Sequence, residues 1–325
     1  MSTSTSTSTE SHSTPEPSNF FVVLNQASGT GQGQQIRQWL TAKLAENNQS
    51  AEFFSPSQNR DISLAAKDAV TRAIPVKGTV VAVGGDGTIN AVCQAVLGTG
   101  LKMGVIPGGT FNYFARNVGI PEDPEQAIDA LLHAEVKPVQ IGLINDRVFL
   151  VNASLGLYPK LLEDREAYKQ RYGRSRLVAL VSAIATLARA HRRFHLSFNS
   201  DNTQGELRSV SILVNNNALQ LSQIGIEEAE KVEQGKLIAI FAKPRHRLSL
   251  YGLLLRGLVS RLGEAEHIDS FALKQMNVSL GRRRKRVKVA TDGEIIWMRS
   301  PLVFKVAKPA LPLLVPAKPV TGQTA

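Results

Sequence analysis

Residues 84–90 read Gly-Gly-Asp-Gly-Thr-Ile-Asn and follow the apolar run Val80-Val81-Ala82-Val83. A run of that kind is the buried strand of a parallel sheet. Glycines at its carboxyl end let a ligand approach the backbone more closely than any Cβ would, with amide N–H groups turned toward an anion. Thr88 and Asn90 are candidates to cap the helix that starts here, whose positive end also favours phosphate. Asp86 stands among the glycines, where a carboxylate has a use only against a metal, a hydroxyl or an amide. An ordinary strand-turn-helix corner can also carry an Asp, but three glycines in four positions favour a phosphate site.

A second chemically loaded point is Thr291-Asp292-Gly293-Glu294, at the end of a strand-like stretch. Alone, Asp-Gly reads as the two-residue turn of a hairpin. If that turn faces the phosphate edge, Glu294 could take a proton from a hydroxyl while Asp292 orients the hydroxyl or a metal.

The elements that must position these residues show in the hydrophobic pattern. Phe20–Leu24 is an apolar strand, followed by the small-residue loop Asn25-Gln26-Ala27-Ser28-Gly29-Thr30-Gly31-Gln32-Gly33 and by helical spacing over 34–47. Ala51–Phe54 is a second strand, leading through a Ser/Pro loop to a helix near 61–73. A fourth strand, Lys102–Ile106, runs into Pro107-Gly108-Gly109-Thr110-Phe111-Asn112. Strands alternating with helices predict a parallel, helix-covered sheet. Three glycine-rich loops then gather on its carboxyl edge, where open α/β sheets bind ligands.

The rhythm changes near residue 139. Short strands are predicted at Val139–Ile144, Val148–Ala153, Arg193–Phe198, Val210–Asn215, Lys236–Ala242, Arg286–Ala290 and Leu302–Val306, with helical stretches near 174–192 and 247–262. This pattern reads as an antiparallel sandwich. The expected organisation is a Ser/Thr-rich disordered tail over 1–19, an α/β nucleotide-binding domain over 20–138 and a β-sandwich over 139–300. Residues 301–325 form a strand and a tail returning to the first domain, with the Pro-rich end running over the surface.

Composition bounds the function classes. The chain has 325 residues, one cysteine (Cys93) and a net charge of +11. One cysteine excludes an internal disulfide and suits a reducing compartment. No run of about 18 apolar residues suggests a spanning helix, and the first 19 residues lack the apolar core of a signal peptide. The positive charge points to an anionic partner. Arg174–Phe194 and Lys243–Leu258 are basic amphipathic stretches suited to an anionic membrane surface or to packing on the sheet. Arg282–Arg286 has little aromatic interleaving, which favours membrane phosphates over nucleic acid. The histidines lack metal-ligand spacing.

Taken together, Gly84–Asn90, Gly109-Thr110-Phe111-Asn112-Tyr113-Phe114-Ala115-Arg116, Asp292-Gly293-Glu294 and Val151–Gly156 resemble the diacylglycerol kinase catalytic-domain family, in its bacterial soluble lipid-kinase branch. The likeness runs from about residue 20 to 308. The first block is shared with NAD kinases; the order and spacing of all the blocks is the specific part. The resemblance implies an α/β nucleotide domain joined to a β-sandwich, with ATP and a lipid hydroxyl meeting in the cleft.

Position by position, it implies ATP contacts at Gly84, Gly85, Asp86, Gly87, Thr88, Ile89 and Asn90, at Gly109, Thr110 and Asn112, and at Asn25, Ser28, Gly29 and Ser55. Glu294 matches the general base, and Asp86 the residue that holds Mg²⁺ or shares the proton transfer. Phosphoryl transfer needs alignment, charge neutralisation and a base near the attacking oxygen. The chain departs from the family at Gln26, where Pro is usual, at Tyr113, where many members have Asp, and at Gln234, a neutral residue where a structural cation is often held. The expected protein is an ATP- and Mg²⁺-dependent lipid kinase, cytoplasmic and peripherally bound to an anionic membrane, with no nucleic-acid partner and a homodimer left open. An NAD kinase and a non-catalytic lipid-binding regulator on the same fold are the competing readings.

Overall fold

The computed structural model describes residues 19–25, 33–57, 61–172, 194–201, 203–242, 268–280 and 286–317. The Ser/Thr-rich tail, Ser28, Gly29 and the predicted helices near 174–192 and 247–262 lie outside the described residues.

The first half alternates strand and helix: β1 (Asn19–Leu24), α1 (Gly33–Glu46), β2 (Ser50–Phe54), α2 (Ile62–Ala73), β3 (Thr79–Gly84), α3 (Asp86–Val96), β4 (Lys102–Pro107), α4 (Tyr113–Asn117), α5 (Pro124–Leu132) and β5 (Ala134–Val139). The strands β2-β1-β3-β4 pair side by side, all parallel. Every residue of β3 is buried, as a strand covered on both faces requires. Helix α1 buries Ile36, Leu40 and Leu44, four residues apart on one face. Helix α2 starts where Asp61 accepts the Leu64 N–H at 2.8 Å. Its inner face carries Ala65, Ala66, Ala69 and Ala73, all fully buried and small enough to sit close to the sheet. Each fully buried Val of β1 and β3 contributes roughly 1.5–3 kcal/mol relative to exposure.

The second half is built from β6 (Gly142–Ile144), β7 (Arg147–Phe149), β8 (Asn152–Gly156), α6 (Leu157–Tyr172), β9 (Phe194–Ser200), β10 (Gln204–Ser209), β11 (Ser211–Asn215), α7 (Ala218–Gln223), β12 (Leu237–Ala242), β13 (Ile268–Leu273), β14 (Gln275–Leu280), β15 (Arg286–Thr291), β16 (Glu294–Arg299) and β17 (Leu302–Val306). They form two six-stranded antiparallel sheets, ordered β10-β9-β14-β17-β6-β7 and β13-β12-β11-β8-β15-β16. The inward residues of both, among them Phe149, Leu155, Phe241, Met276 and Phe304, form one core. In β14 the alternation is plain: Met276, Val278 and Leu280 are buried, Gln275, Asn277 and Ser279 exposed.

Three expectations shift. The stretch Val139–Ile144 is two strands, since Val139 ends β5 in the first sheet and Gly142 opens β6 in the sandwich. Val148–Ala153 also divides, because the N–H groups of Leu150, Val151 and Asn152 turn to the Asp292 carboxylate instead of a ladder. The Pro-rich end does not run over the surface. It forms β18 (Leu311–Pro316), inserted between β4, to which it is parallel, and β5, to which it is antiparallel. Leu311, Leu313 and Val315 alternate into the core, and Pro312 pairs with Pro138, so two missing donors fall at one ladder position. The crossing back thus begins after β17, which belongs to the sandwich.

Candidate active site

Because β1, β3 and β4 are parallel, their carboxyl ends share one edge, and hydrogen bonds draw the loops together. The Asn25 N–H donates to Val83 O at 3.2 Å, and Gly108 N–H to Gly84 O at 2.9 Å. Asn25 Nδ2 lies 3.4 Å from Thr88 Oγ1. Gly85 and Gly109 touch backbone to backbone: a Cβ on Gly109 would lie 2.7 Å from Gly85 Cα and 2.9 Å from Asn112 Oδ1. Asn112, buried and in the left-handed region at φ 49°, accepts from Gly109 N–H at 3.0 Å and donates to Gly109 O at 3.1 Å. Its side chain shapes the loop instead of facing outward. Thr110 and Phe111 are exposed, and Phe111 stacks on Tyr113 at 5.7 Å between ring centroids. Ser55 follows β2, two strands from β3.

Helix α3 begins directly after the glycines, with Gly85 as its N-cap and no side-chain cap. Thr88 and Asn90 therefore sit inside the helix and do not cap it; the first-turn N–H groups stay turned to the loop edge. Ile89 is fully buried, and its N–H closes the first helical bond to Gly85 O. Of the expected phosphate-contact residues, Ile89 and Asn90 thus face inward. Asp86 is half-buried, and its Oδ1 accepts the Phe114 N–H at 3.3 Å. Burial raises its pKa above the ordinary carboxylate value, against the pull of the Phe114, Tyr113 and Asn112 N–H groups.

The opposite wall comes from the sandwich. Asp292 and Gly293 both have positive φ, 48° and 90°, as the two-residue turn joining β15 to β16 requires. The hairpin reading is correct, and the turn also faces the glycine edge. Asp292 does not orient a hydroxyl or a metal, because protein donors occupy both of its oxygens. It accepts Leu150 N–H at 2.7 Å, Val151 N–H at 2.9 Å, Asn152 N–H at 3.0 Å and Asn90 Nδ2 at 2.7 Å. Burial still pushes its pKa up, while these four donors pull it back.

Glu294 is exposed at the start of β16, and a Cβ on Gly87 would lie 3.9 Å from its Oε1. Its Oε2 accepts Arg147 Nη2 at 2.8 Å. Lys67, Gly87, Asn90, Gln94, Arg147 and Glu294 line one cleft. Arg147 and Gln94 carried no signal in the sequence. Gln94 accepts Val148 N–H at 2.8 Å and donates to Asp146 O at 3.1 Å, clasping the chain on both sides of Arg147. Asn217 Nδ2 donates to Tyr113 O at 2.9 Å, and Leu219 N–H to Asn117 Oδ1 at 3.1 Å, docking α7 on α4.

The fold and site define a two-domain class, in which a glycine-rich α/β edge faces a carboxylate hairpin of a β-sandwich. Residues 19–144 match the diacylglycerol kinase catalytic domain. The chain is 40% identical to the diacylglycerol kinase of Bacillus subtilis over 107 residues, 32% of this chain and 34% of that protein. It is 28% identical to the diacylglycerol kinase of Staphylococcus haemolyticus over 137 residues, 42% of this chain and 41% of that one. The matched segment thus spans about a third of the first of these curated relatives. A crystal structure of a diacylglycerol kinase from Bacillus anthracis Sterne superposes with a TM-score of 0.65 at 16% identity, covering 95% of this chain and 100% of that one. That likeness establishes the fold.

Proposed function

We propose that this protein is an ATP- and Mg²⁺-dependent lipid kinase that phosphorylates the hydroxyl of diacylglycerol or a related lipid at a membrane surface. The observation that carries the reading is Glu294 Oε1 beside Gly87, a carboxylate set against the loop that would hold the phosphates. In this reading the lipid oxygen attacks the γ-phosphorus and its proton passes to Glu294 Oε1. The bond from phosphorus to the β–γ bridging oxygen breaks, and ADP leaves with that electron pair. In this reading the N–H groups of Gly85–Thr88 and of Thr110 would face the phosphates.

Residues 25–33, 84–90 and 107–112 contain no Lys or Arg, so a cation arriving with the nucleotide would neutralise charge beside these loops. Mg²⁺ takes one or two carboxylates together with substrate phosphates, and Asp86, with Thr88 beside it, fits that limited donor set. Bound there, such an ion would supply charge neutralisation to the transferring phosphoryl group.

Among the described residues no helix is long and apolar enough to cross a membrane. In this reading the protein works as a cytoplasmic, peripherally attached enzyme. Incubation with γ-labelled ATP, Mg²⁺ and a mixed bacterial lipid extract, with NAD in parallel, tests the reading. A labelled lipid is expected. Label in NADP, or ATP binding without transfer to any acceptor, overturns it.

A further inference from the structure

We propose that the outer face of the β15–β16 hairpin is the surface by which the protein docks on an anionic lipid bilayer. This rests on the lipid-kinase reading and adds to it the surface that meets the substrate's membrane. The antiparallel register sets Arg286 opposite Arg299 and Lys288 opposite Trp297. The alternate residues of the hairpin turn the other way: Val287 and Val289 are buried, and Ile296 and Met298 pack on the sandwich core. One face therefore holds three cations and an indole, and the other is apolar and covered.

Trp297 is 58% exposed, and among the described large apolar side chains left exposed it is the one in the sandwich. The Lys288 ammonium lies 5.4 Å from its ring centroid and also pairs with Glu163. Among the described residues β16 is the outermost strand of its sheet, and no further strand there covers the ring from that side. In sequence, β15 is preceded by Arg282-Arg283-Arg284-Lys285.

An indole among cations fits the bilayer interface, where an apolar ring with a polar N–H sits at headgroup level and the cations meet lipid phosphates. Nucleic acid would favour several stacking rings along a groove, and this face offers one. Trp297 stands three residues along β16 from Glu294, about 10 Å at the usual rise of a strand.

Trp39 and Trp297 are the two tryptophans of the chain, so Trp39→Phe leaves Trp297 as the fluorescent reporter. The full chain is titrated with phosphatidylcholine vesicles, with and without one quarter phosphatidylglycerol, some carrying brominated acyl chains. A blue shift and bromine quenching of Trp297 are expected with the anionic vesicles alone. Replacing Arg286 and Arg299 by Ala weakens that partition about fivefold for each charge, on the order of 25-fold together. Thermal unfolding of the double variant checks that it stays folded. No vesicle binding, binding with Trp297 unquenched, or equal partition of the double variant overturns the proposal. So does a labelled DNA duplex that the same double variant releases while vesicles leave the emission unchanged. Quenching with no phosphate transfer to any lipid would instead sink the kinase reading and leave the docking surface standing. Trp297→Ala keeps its transfer rate on detergent-dispersed lipid and loses it on vesicles.

Discussion

Asn90 Nδ2 donates to Asp292 Oδ2 at 2.7 Å, joining two motifs that are 202 residues apart in the chain. Through this contact the helix that starts at the glycine loop is tied to the hairpin that carries Glu294. The same carboxylate gathers three consecutive N–H groups where the chain crosses from β7 to β8. Asp292 is therefore a joint between the domains, and the distance between Glu294 and Gly87 depends on it.

Asp292→Asn should be destabilising, since an amide nitrogen must then face backbone N–H donors in a buried place. A buried donor left without its acceptor costs about 1–3 kcal/mol, so a loss of roughly 2–4 kcal/mol in urea unfolding is expected. Asn90→Ala removes one of the four donors and should cost less. A variant at Asp292 as stable as the wild type would show that these bonds hold nothing together.

Glu294→Gln tests the proposed base directly. The exposed side chain supports no core, so stability should stay within about 0.5 kcal/mol. Phosphate transfer should fall 10²–10⁴-fold, roughly the range of general-base catalysis, with ATP affinity nearly unchanged. Wild-type turnover in this variant would remove Glu294 from the mechanism.

Gly109→Ala separates loop geometry from chemistry. Its Cβ would meet Gly85 Cα at 2.7 Å, a backbone atom that cannot swing aside. Gly85→Ala is milder, with its Cβ at 3.3 Å from Gly109 Cα. Nucleotide affinity, measured by calorimetry, should fall in both and further in Gly109→Ala, with an overpacking cost of about 1–3 kcal/mol in the latter. Equal ATP binding by all three proteins would move the phosphate site away from these loops.

The local backbone structure was legible in the sequence wherever it depended on neighbours in the chain. The buried run 80–83, the glycines after it and the turn at Asp292-Gly293 all read correctly because backbone sterics act over a few residues. What failed depended on contacts distant in sequence. Asn90 looked like a cap and Asp292 like a residue orienting a hydroxyl or a metal because their partnership with each other is invisible at that separation. Arg147 is one of 38 Lys and Arg residues, and only folding brings it to Glu294. The strand β18 was hidden by its prolines, which usually mark an exposed edge; here the Leu311-Leu313-Val315 alternation overrides them.

The pH dependence of stability should carry a signature of Asp86. Its pKa is raised by burial above the ordinary 3.8. Below that value the carboxyl is protonated in both folded and unfolded chains, and no penalty arises. As the pH rises from 3.8 through the folded value, the unfolded chain ionises first, and the folded state loses stability relative to it. Above the folded value the penalty is constant. Asp86→Asn should remove this component, seen as a flatter slope of unfolding free energy in that window. An unchanged slope in the variant would place Asp86 in a better-solvated setting than its burial indicates.

Arg147 holds Glu294 by one oxygen, Oε2, and leaves Oε1 toward Gly87. The pair is partly exposed, so its worth to stability is small, of order 0–1 kcal/mol. Its consequence should be kinetic: Arg147→Ala lets Glu294 rotate away from the loop, and kcat is expected to fall about tenfold while the KM for ATP holds. Arg147→Lys, which keeps the charge without the planar fork, should recover part of the loss. A double-mutant cycle identifies the route. If Arg147 acts through Glu294, adding Arg147→Ala to Glu294→Gln produces no further drop in transfer. Additive losses would mean that the guanidinium meets the substrate on its own account.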